Sequence, residues 1–396
     1  MSMNRVNPIC IPERLMRMKP DKLDLAVVII VCACLLGVGS AAWVMDPARQ
    51  PTRVAYLYPA TGGTQNVWMA DIDDPAARQQ LTFSEHGVFD FDFSADGRWL
   101  AFAERSGVGA VTLRLLDLAN GGLTDLVDCV ALKANCTSPV FSPDGKWLVY
   151  QRAESIGGRY GLPRIWLVNM ISSGYDTVAL IADKQVVGHS PIWSADSNTV
   201  AFYSADVTQP GILIYDFIPR GADDIQLRFI PSAHGTMGTL APNGRQLIFP
   251  ELSRRGDQFF THLRIADLGA KTFAAFTDPE GPTDDVAAQW SPDGETVAFA
   301  RRYTDGRWTP GHQLYLKRVS ASEDELRPVA YEPRFTTSYF RWNLKGNRLV
   351  MQRFPLVRDE SSAEGPALPE IWVHDFNSGD SRKITDDAFL PQWAGA

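Results

Sequence analysis

Histidine and aspartate recur in short polar stretches of the chain: His86, His189, His234, Asp284, Asp285, Asp386 and Asp387. Such side chains ligate metals or exchange protons. Here they follow no ligand spacing such as His-x-x-x-His, and an Asp beside a strand start is the ordinary cap of a turn. Asp90, Asp92, Ser94 and Asp96 alternate like a calcium loop, but the closing Glu is missing and a period of two is that of a strand. No nucleophile elbow G-x-S-x-G, phosphate loop or H-E-x-x-H helix occurs. The reading is therefore no catalytic residue, no metal and no cofactor. A second set mixes arginine with aromatic rings, the usual anchors of an interface. Arg254, Arg255, Phe259 and Phe260 lie in LSRRGDQFFT (252–261), and Arg302, Tyr303, Arg307 and Trp308 in RYTDGRWTPGH (302–312).

The elements that hold these residues show up when the chain is laid on itself. One turn recurs as FSADG (93–97), FSPDG (141–145), WSADS (193–197), LAPNG (240–244), WSPDG (290–294) and WNLKG (342–346), at offsets of 48, 52, 47, 50 and 52. Pro presets the first φ, Asp caps its own turn and Gly accepts the left-handed conformation. Each turn is preceded by a strand, here called a. It is followed by an apolar strand b, such as WLVY (147–150) or TVAF (296–299), and by a strand c ending mostly in Asp (Asp71, Asp117, Asp216, Asp267, Asp375). A weaker strand d leads to the next copy. The repeated Asp is read as structural, because a repeated scaffold repeats what holds it.

Before the first turn, RVAY (53–56), VWMAD (67–71) and RQQLTF (78–83) supply b, c and d without an a; FLPQWAG (389–395) is an a with nothing after it. The two orphans complete one another. Residues 53–396 divided among seven units give about 49 each, matching the offsets. The fold class is thus all-β: a seven-bladed β-propeller of four-stranded antiparallel blades, with the termini sharing one blade. Strand alternation puts the a–b and c–d turns on one face, and the b–c loops and d–a connections on the other. The b–c loops, including AESIGGRYGLP (153–163) and FPLVRDESSAEGPALP (354–369), are long and elaborated, as binding loops on rigid scaffolds are. His189, His234, Asp284 and Asp285 join the Arg–aromatic set as candidate binding residues there.

FSPDGKWLVY (141–150) and WSPDGETVAFA (290–300) resemble the WD40-like, or PD40, repeat of TolB-type propellers, and the resemblance covers essentially everything after residue 50. It implies a propeller. TolB itself carries an additional α/β domain before six blades, whereas here an apolar segment runs straight into a blade and the count is seven. Propellers of this type also cap prolyl-oligopeptidase-like and tricorn-type peptidases, so one scaffold hosts several functions.

That apolar segment, Leu25 to Met45, has 21 residues and no charge, enough for about 30 Å of helix. Arg5, Arg14, Arg17, Lys19 and Lys22 precede it and only Arg49 and Arg53 follow closely. The basic flank stays inside. Residues 1–24 are thus expected in the cytoplasm, 25–45 as a transmembrane signal anchor, 46–52 as a linker and 53–396 as the exported propeller. The rival is a cleaved signal peptide cut near Ser40-Ala41-Ala42. Of the five cysteines only Cys129 and Cys136 would be exported; an oxidising compartment would pair them, the alternative being two buried thiols. The chain carries −8 overall and residues 1–24 carry +2 (five basic, three acidic), leaving −10 on the remainder. So acidic a domain is unsuited to general nucleic-acid binding. Two functions remain. One is a monomeric, membrane-anchored scaffold binding a protein, peptide or glycan outside the cytoplasmic membrane. The other is a propeller-type hydrolase or lyase acting on an envelope polymer, or a propeller accessory to a peptidase.

Overall fold

Strand b of each blade is a near-continuous apolar run because both of its faces are covered. In Arg53–Tyr58, Val54 and Tyr56 join a core with Val350 and Ile371, while Ala55 and Leu57 join another with Phe91, Leu100 and Phe102. Alternate side chains thus serve the blades on either side. Seven such clusters of buried residues, each shared between neighbouring blades, make up the core among the described residues.

The computed structural model describes residues 52–204, 206–218, 226–322, 325–356 and 367–395, with only the backbone described at Ser338. These residues contain no α-helix and form seven antiparallel sheets. Blade 1 consists of Arg53–Tyr58, Asn66–Asp71 and Arg78–Gln80, with Phe389–Trp393 paired on its inner side (Val54↔Trp393, Ala55↔Gln392), as the two orphan ends require. Blade 2 runs from Val88–Phe93 to Leu123–Val127, and blade 3 from Ala134–Phe141 to Thr177–Ala179 with an added short strand, Arg159–Tyr160. Blades 4 to 7 begin with Gly188–Trp193, Thr239–Leu240, Thr283–Trp290 and Phe335–Trp342. No helix among the described residues is long and apolar enough to cross a membrane; the expected span, 25–45, lies outside them, as do 1–24 and nearly all of the linker.

The recurrent turn works as its composition suggests. In blades 2, 3, 4 and 6 the Ser hydroxyl (Ser94, Ser142, Ser194, Ser291) donates to the Asp two residues on, at 2.5–2.7 Å. The same oxygen accepts the first amide of strand b, such as Trp147 N–H at 3.0 Å. The Asp ending strand c caps the next turn: Asp117 and Asp375 accept the amides of Ala119 and Asn377 and pair with Arg98 (2.9 Å) and Arg348 (2.6 Å). Strand a is innermost and lines the axis. Its last residue is often Trp, whose indole N–H donates to a carbonyl on the previous blade's inner strand: Trp193 to Val140, Trp290 to Thr239, Trp342 to Gln289 and Trp393 to Arg341. In blade 3 that position is Phe141, which has no indole; its backbone amide goes instead to the Asp92 carboxylate at 2.8 Å.

Candidate functional site

The b–c hairpins and d–a connections share one face, and the Arg–aromatic residues lie on it as regular structure, not as loops. Gln246–Arg255 and Gln258–Asp267 form one ten-residue-long hairpin in blade 5, in register to Arg255↔Gln258 around Gly256-Asp257. The expected loop 252–261 is therefore two paired strands. A Gly-Asp pair between β-prone runs is a two-residue hairpin signal, and Gly256 has the positive φ (60°) such a turn needs. Phe259 and Arg254 are well exposed at its tip. Arg255 is not available to a partner. Its guanidinium stacks 3.7 Å from the centre of the Phe260 ring and donates to the carbonyls of Gly281 and Thr283 (3.0 Å for the latter), tying blade 5 to blade 6.

In blade 6, Arg302 and Tyr303 belong to strand Thr296–Tyr303. Tyr303 is covered by Arg307, 3.9 Å above its ring, and Arg307 is held by Asp305 at 2.7 Å. Trp308 stands free of this stack and is 61% exposed.

The structure divides the acidic and histidine candidates. Asp285 corrects the sequence reading: it is fully buried, gripped by Arg301 through two bonds of 2.7 and 2.8 Å, and presents nothing to a ligand. Adjacent side chains of a strand point to opposite faces, so Asp284 lies on the other side of the strand from Asp285. Its carboxylate accepts the Thr261 amide (3.0 Å), Arg302 (3.1 Å) and His312 Nε2 (3.3 Å). Burial pushes this carboxyl up, but His312, the Thr261 amide and the Arg302 charge outweigh it and hold it at about 2. His234, bonded to Thr236 at 2.7 Å, is pushed down by burial against the pull of Glu251 and Asp284. His189 packs beside Tyr203 in blade 4 and is likewise pushed down by burial. His86 lies in the blade 1–2 connection, where a side chain added at Gly107 would collide with it. Asp386 lies near Lys383, and Asp387 accepts the Thr61 amide and hydroxyl, a closure bond between distant parts of the chain. Apart from His234, which lies within reach of the Asp284 charge, these residues do not converge. Among the described residues no three His, Cys, Asp or Glu side chains are placed to hold a metal ion.

Sequence reasoning missed His312, which reaches Asp284 within blade 6, and Glu251 and His262, which face one another across the blade 5 hairpin, with the Glu251 charge felt at His234. Asp90 and Asp92, whose alternation the sequence reading assigned to strand a, lie in that strand and pack against the next blade. Asp90 accepts Ser138 N–H at 2.6 Å and Asp92 accepts Phe141 N–H at 2.8 Å. Their alternation was visible, but their burial against blade 3 was not. A further cleft of about 460 Å³ opens between blades 6 and 7, lined by Tyr331, Phe335, Arg353, Glu370, Trp372 and Lys383. Cys129 and Cys136 are both fully buried with Cα atoms 6.1 Å apart, a separation that suits a bonded pair.

Fold and site together define a seven-bladed propeller with one elaborated face. Solved propellers align with it at low identity. An oligogalacturonate lyase in complex with manganese matches 85% of this chain and 86% of its own, at 16% identity and a TM-score of 0.55. A prolyl endopeptidase matches 86% of this chain at 12% identity and a TM-score of 0.57; the alignment spans 49% of that protein. TolB from Acinetobacter baumannii matches 65% of this chain and 62% of its own, at 21% identity and a TM-score of 0.44. Among curated proteins, the U3 small nucleolar RNA-associated protein 21 homolog of Schizosaccharomyces pombe is 30% identical over 89 residues, 22% of this chain and 9% of that protein. No family model matches the chain. The likeness extends to the propeller fold, which enzymes and non-enzymes share.

Proposed function

We propose that this chain is a membrane-anchored propeller, exported beyond the cytoplasmic membrane, that recruits a protein or peptide partner on its b–c face. One observation carries the reading. The b–c hairpin of every blade from 2 to 6 ends in exposed large apolar side chains: Val108, Ile156, Leu162, Val207, Phe259 and Trp308. Successive blades place these tips in an arc around the axis. Among the described residues the opposite face has fewer, such as Ile171, Ile218 and Leu344. Isolated apolar residues need no explanation, but their repetition along one rim favours association. The anchor rests on the uncharged segment 25–45 and its basic flank.

The test is cross-linking and recovery from envelopes with the full-length chain, comparing the parent with a variant carrying Val207→Ser, Phe259→Ser and Trp308→Ser. Loss of the recovered partner at unchanged melting temperature supports the reading. Full recovery by the variant sinks it. Protease added outside the cytoplasmic membrane should digest the propeller of the anchored chain.

A second reading, a hydrolase or lyase acting on an envelope polymer, draws on the Asp284–His312 pair, whose hydrogen bond could orient an imidazole for proton transfer. Its fold-level company is the lyase and endopeptidase propellers. Polymer cleavage lost on both Asp284→Asn and His312→Gln would favour this reading over simple binding.

A further inference from the structure

Blade 5 lacks most of its inner strand. Thr239–Leu240 pairs with strand b only at Thr239↔Ile248 and Leu240↔Leu247, whereas strand b itself continues to Arg255. In blades 3, 6 and 7 the inner strand follows strand b outward to Glu154, Tyr303 and Pro355. The cause is local: Gly235 sits at φ 88° and turns the chain aside, and Gly238 passes so close to strand b that a Cβ would lie 2.1 Å from the Ile248 carbonyl oxygen.

The result is an open strand edge beside the axis. Pairing alternates along an antiparallel hairpin. Thr261 and Leu263 of strand c direct their amides away from strand b, to Asp284 and to the Thr277 hydroxyl. Leu252, the partner of Thr261, and by the same alternation Arg254, therefore direct their amides and carbonyls away from strand c, and Pro250, opposite Leu263, directs its carbonyl the same way. The first rungs are closed: Ser232 donates to the Pro250 carbonyl, and the Glu251 carboxylate accepts the amides of Ala233 (3.1 Å) and Leu252 (3.0 Å). Beyond that point no bond within the described residues takes up the Leu252 carbonyl or the Arg254 amide and carbonyl. Both residues are exposed, Arg254 with 66% of its side chain. On the other side the hairpin is fastened to blade 6, by Ser253 to the Pro279 carbonyl, by Arg255 and by Asp284, so the open edge is held in place.

We infer that an extended, acidic peptide segment of a partner adds to blade 5 as a substitute inner strand along Leu252–Arg254. A row of outward carbonyl and amide groups at strand spacing is complementary to another extended backbone. The exposed guanidinium of Arg254, whose nearby Asp257 is itself fully in solvent at 3.5 Å, favours an acidic side chain opposite. This inference rests on the reading of the b–c face as the binding face and names the chemistry of its partner.

The probe is a fluorescein-labelled nine-residue peptide of alternating glutamate and valine, titrated by anisotropy against the full-length chain in detergent. Two N-methylated versions carry methyl groups on one or the other alternate set of amides. Strand addition predicts saturable binding, slower amide exchange at 252–255 in the complex, and a loss of about tenfold or more for one methylated peptide only, as expected for losing two hydrogen bonds. Arg254→Pro should lower affinity similarly, and Arg254→Ala less, since it keeps the amide. No saturable binding, equal affinity for both methylated peptides, or protection elsewhere overturns the inference; these peptide outcomes do not depend on any variant folding. If the Val207, Phe259 and Trp308 variant loses a recovered partner that Arg254→Pro retains, the face binds but not by strand addition, and only this inference falls. If amide-dependent peptide binding stands while the tip variant loses nothing, the apolar-rim reading falls alone.

Discussion

The indole N–H of Trp393 donates to the carbonyl of Arg341 at 3.0 Å across 52 residues of chain. It is the last of the four Trp bonds around the axis and the one that closes the ring. The preceding residue, Gln392, donates to the carbonyl of Phe91 of blade 2 at 2.7 Å, so the final strand grips the blades on both sides.

Trp393→Phe should therefore cost about 1 kcal/mol, the worth of one hydrogen bond, and Trp393→Ala about 3 kcal/mol, since packing is lost as well. Deleting residues 389–396 should do more, because it exposes the inner edges of blade 1 and its neighbours. Thermal melts of the three variants check the order. A truncated chain that melts like the parent contradicts the shared blade.

The inner strand of blade 2 should make stability depend on pH in an unusual direction. Burial pushes Asp92 up to about 7, against the opposing amides of Phe141 and Phe93 and the charge of Arg341. Burial likewise pushes Asp90 to about 6, against the Ser138 amide and hydroxyl. An unfolded Asp titrates near 4, so between about pH 4 and 7 the folded chain binds more protons than the unfolded one. This contribution is complete below pH 4 and is lost as pH rises through 6 to 7. The melting temperature should fall between pH 5 and pH 8, and Asp92→Asn should flatten that fall while raising the melt at pH 8. Parent and variant with parallel pH profiles would refute the assignment.

Arg301 neutralises a carboxylate that water cannot reach. Arg301→Met should destabilise by about 3–5 kcal/mol because Asp285 is left charged and buried. Adding Asp285→Leu to Arg301→Met should recover much of that loss in chemical denaturation. A single variant as stable as the parent would mean that Asp285 finds another partner.

Cys129 and Cys136 should be joined in protein purified from an oxidising compartment. Intact mass with and without reductant should differ by two hydrogens on the peptide spanning 129–136, and reduction should cost on the order of 2–3 kcal/mol. Free thiols in protein prepared without reductant from such a compartment would rule out the bond.

Most of the architecture was legible from residue types alone, because a repeated fold writes its local rules several times. Ser-Pro-Asp-Gly specifies a turn through its own φ preferences and hydroxyl–carboxylate bond, and the same turn at six positions gives the period. The unmatched strands at 53–83 and 389–395 give the blade count. Apolar runs such as WLVY read as half-buried strands, whereas the packed ring of blades covers them on both faces. What sequence could not decide lies wherever two blades meet. Asp284 and Asp285 are neighbours of one type, yet one faces His312 and the other is sealed against Arg301, a difference set by strand direction and by the packing of blade 5 on blade 6. Arg255 reads like Arg254 but is spent on the carbonyls of the next connection. The open edge at Leu252–Arg254 exists because two glycines divert a strand some fifteen residues earlier in the chain, and only the tertiary fold brings that gap beside the hairpin it leaves unpaired. Local chemistry is carried by adjacent residues and survives in a linear reading; burial, partnership and edge exposure are properties of neighbours in space.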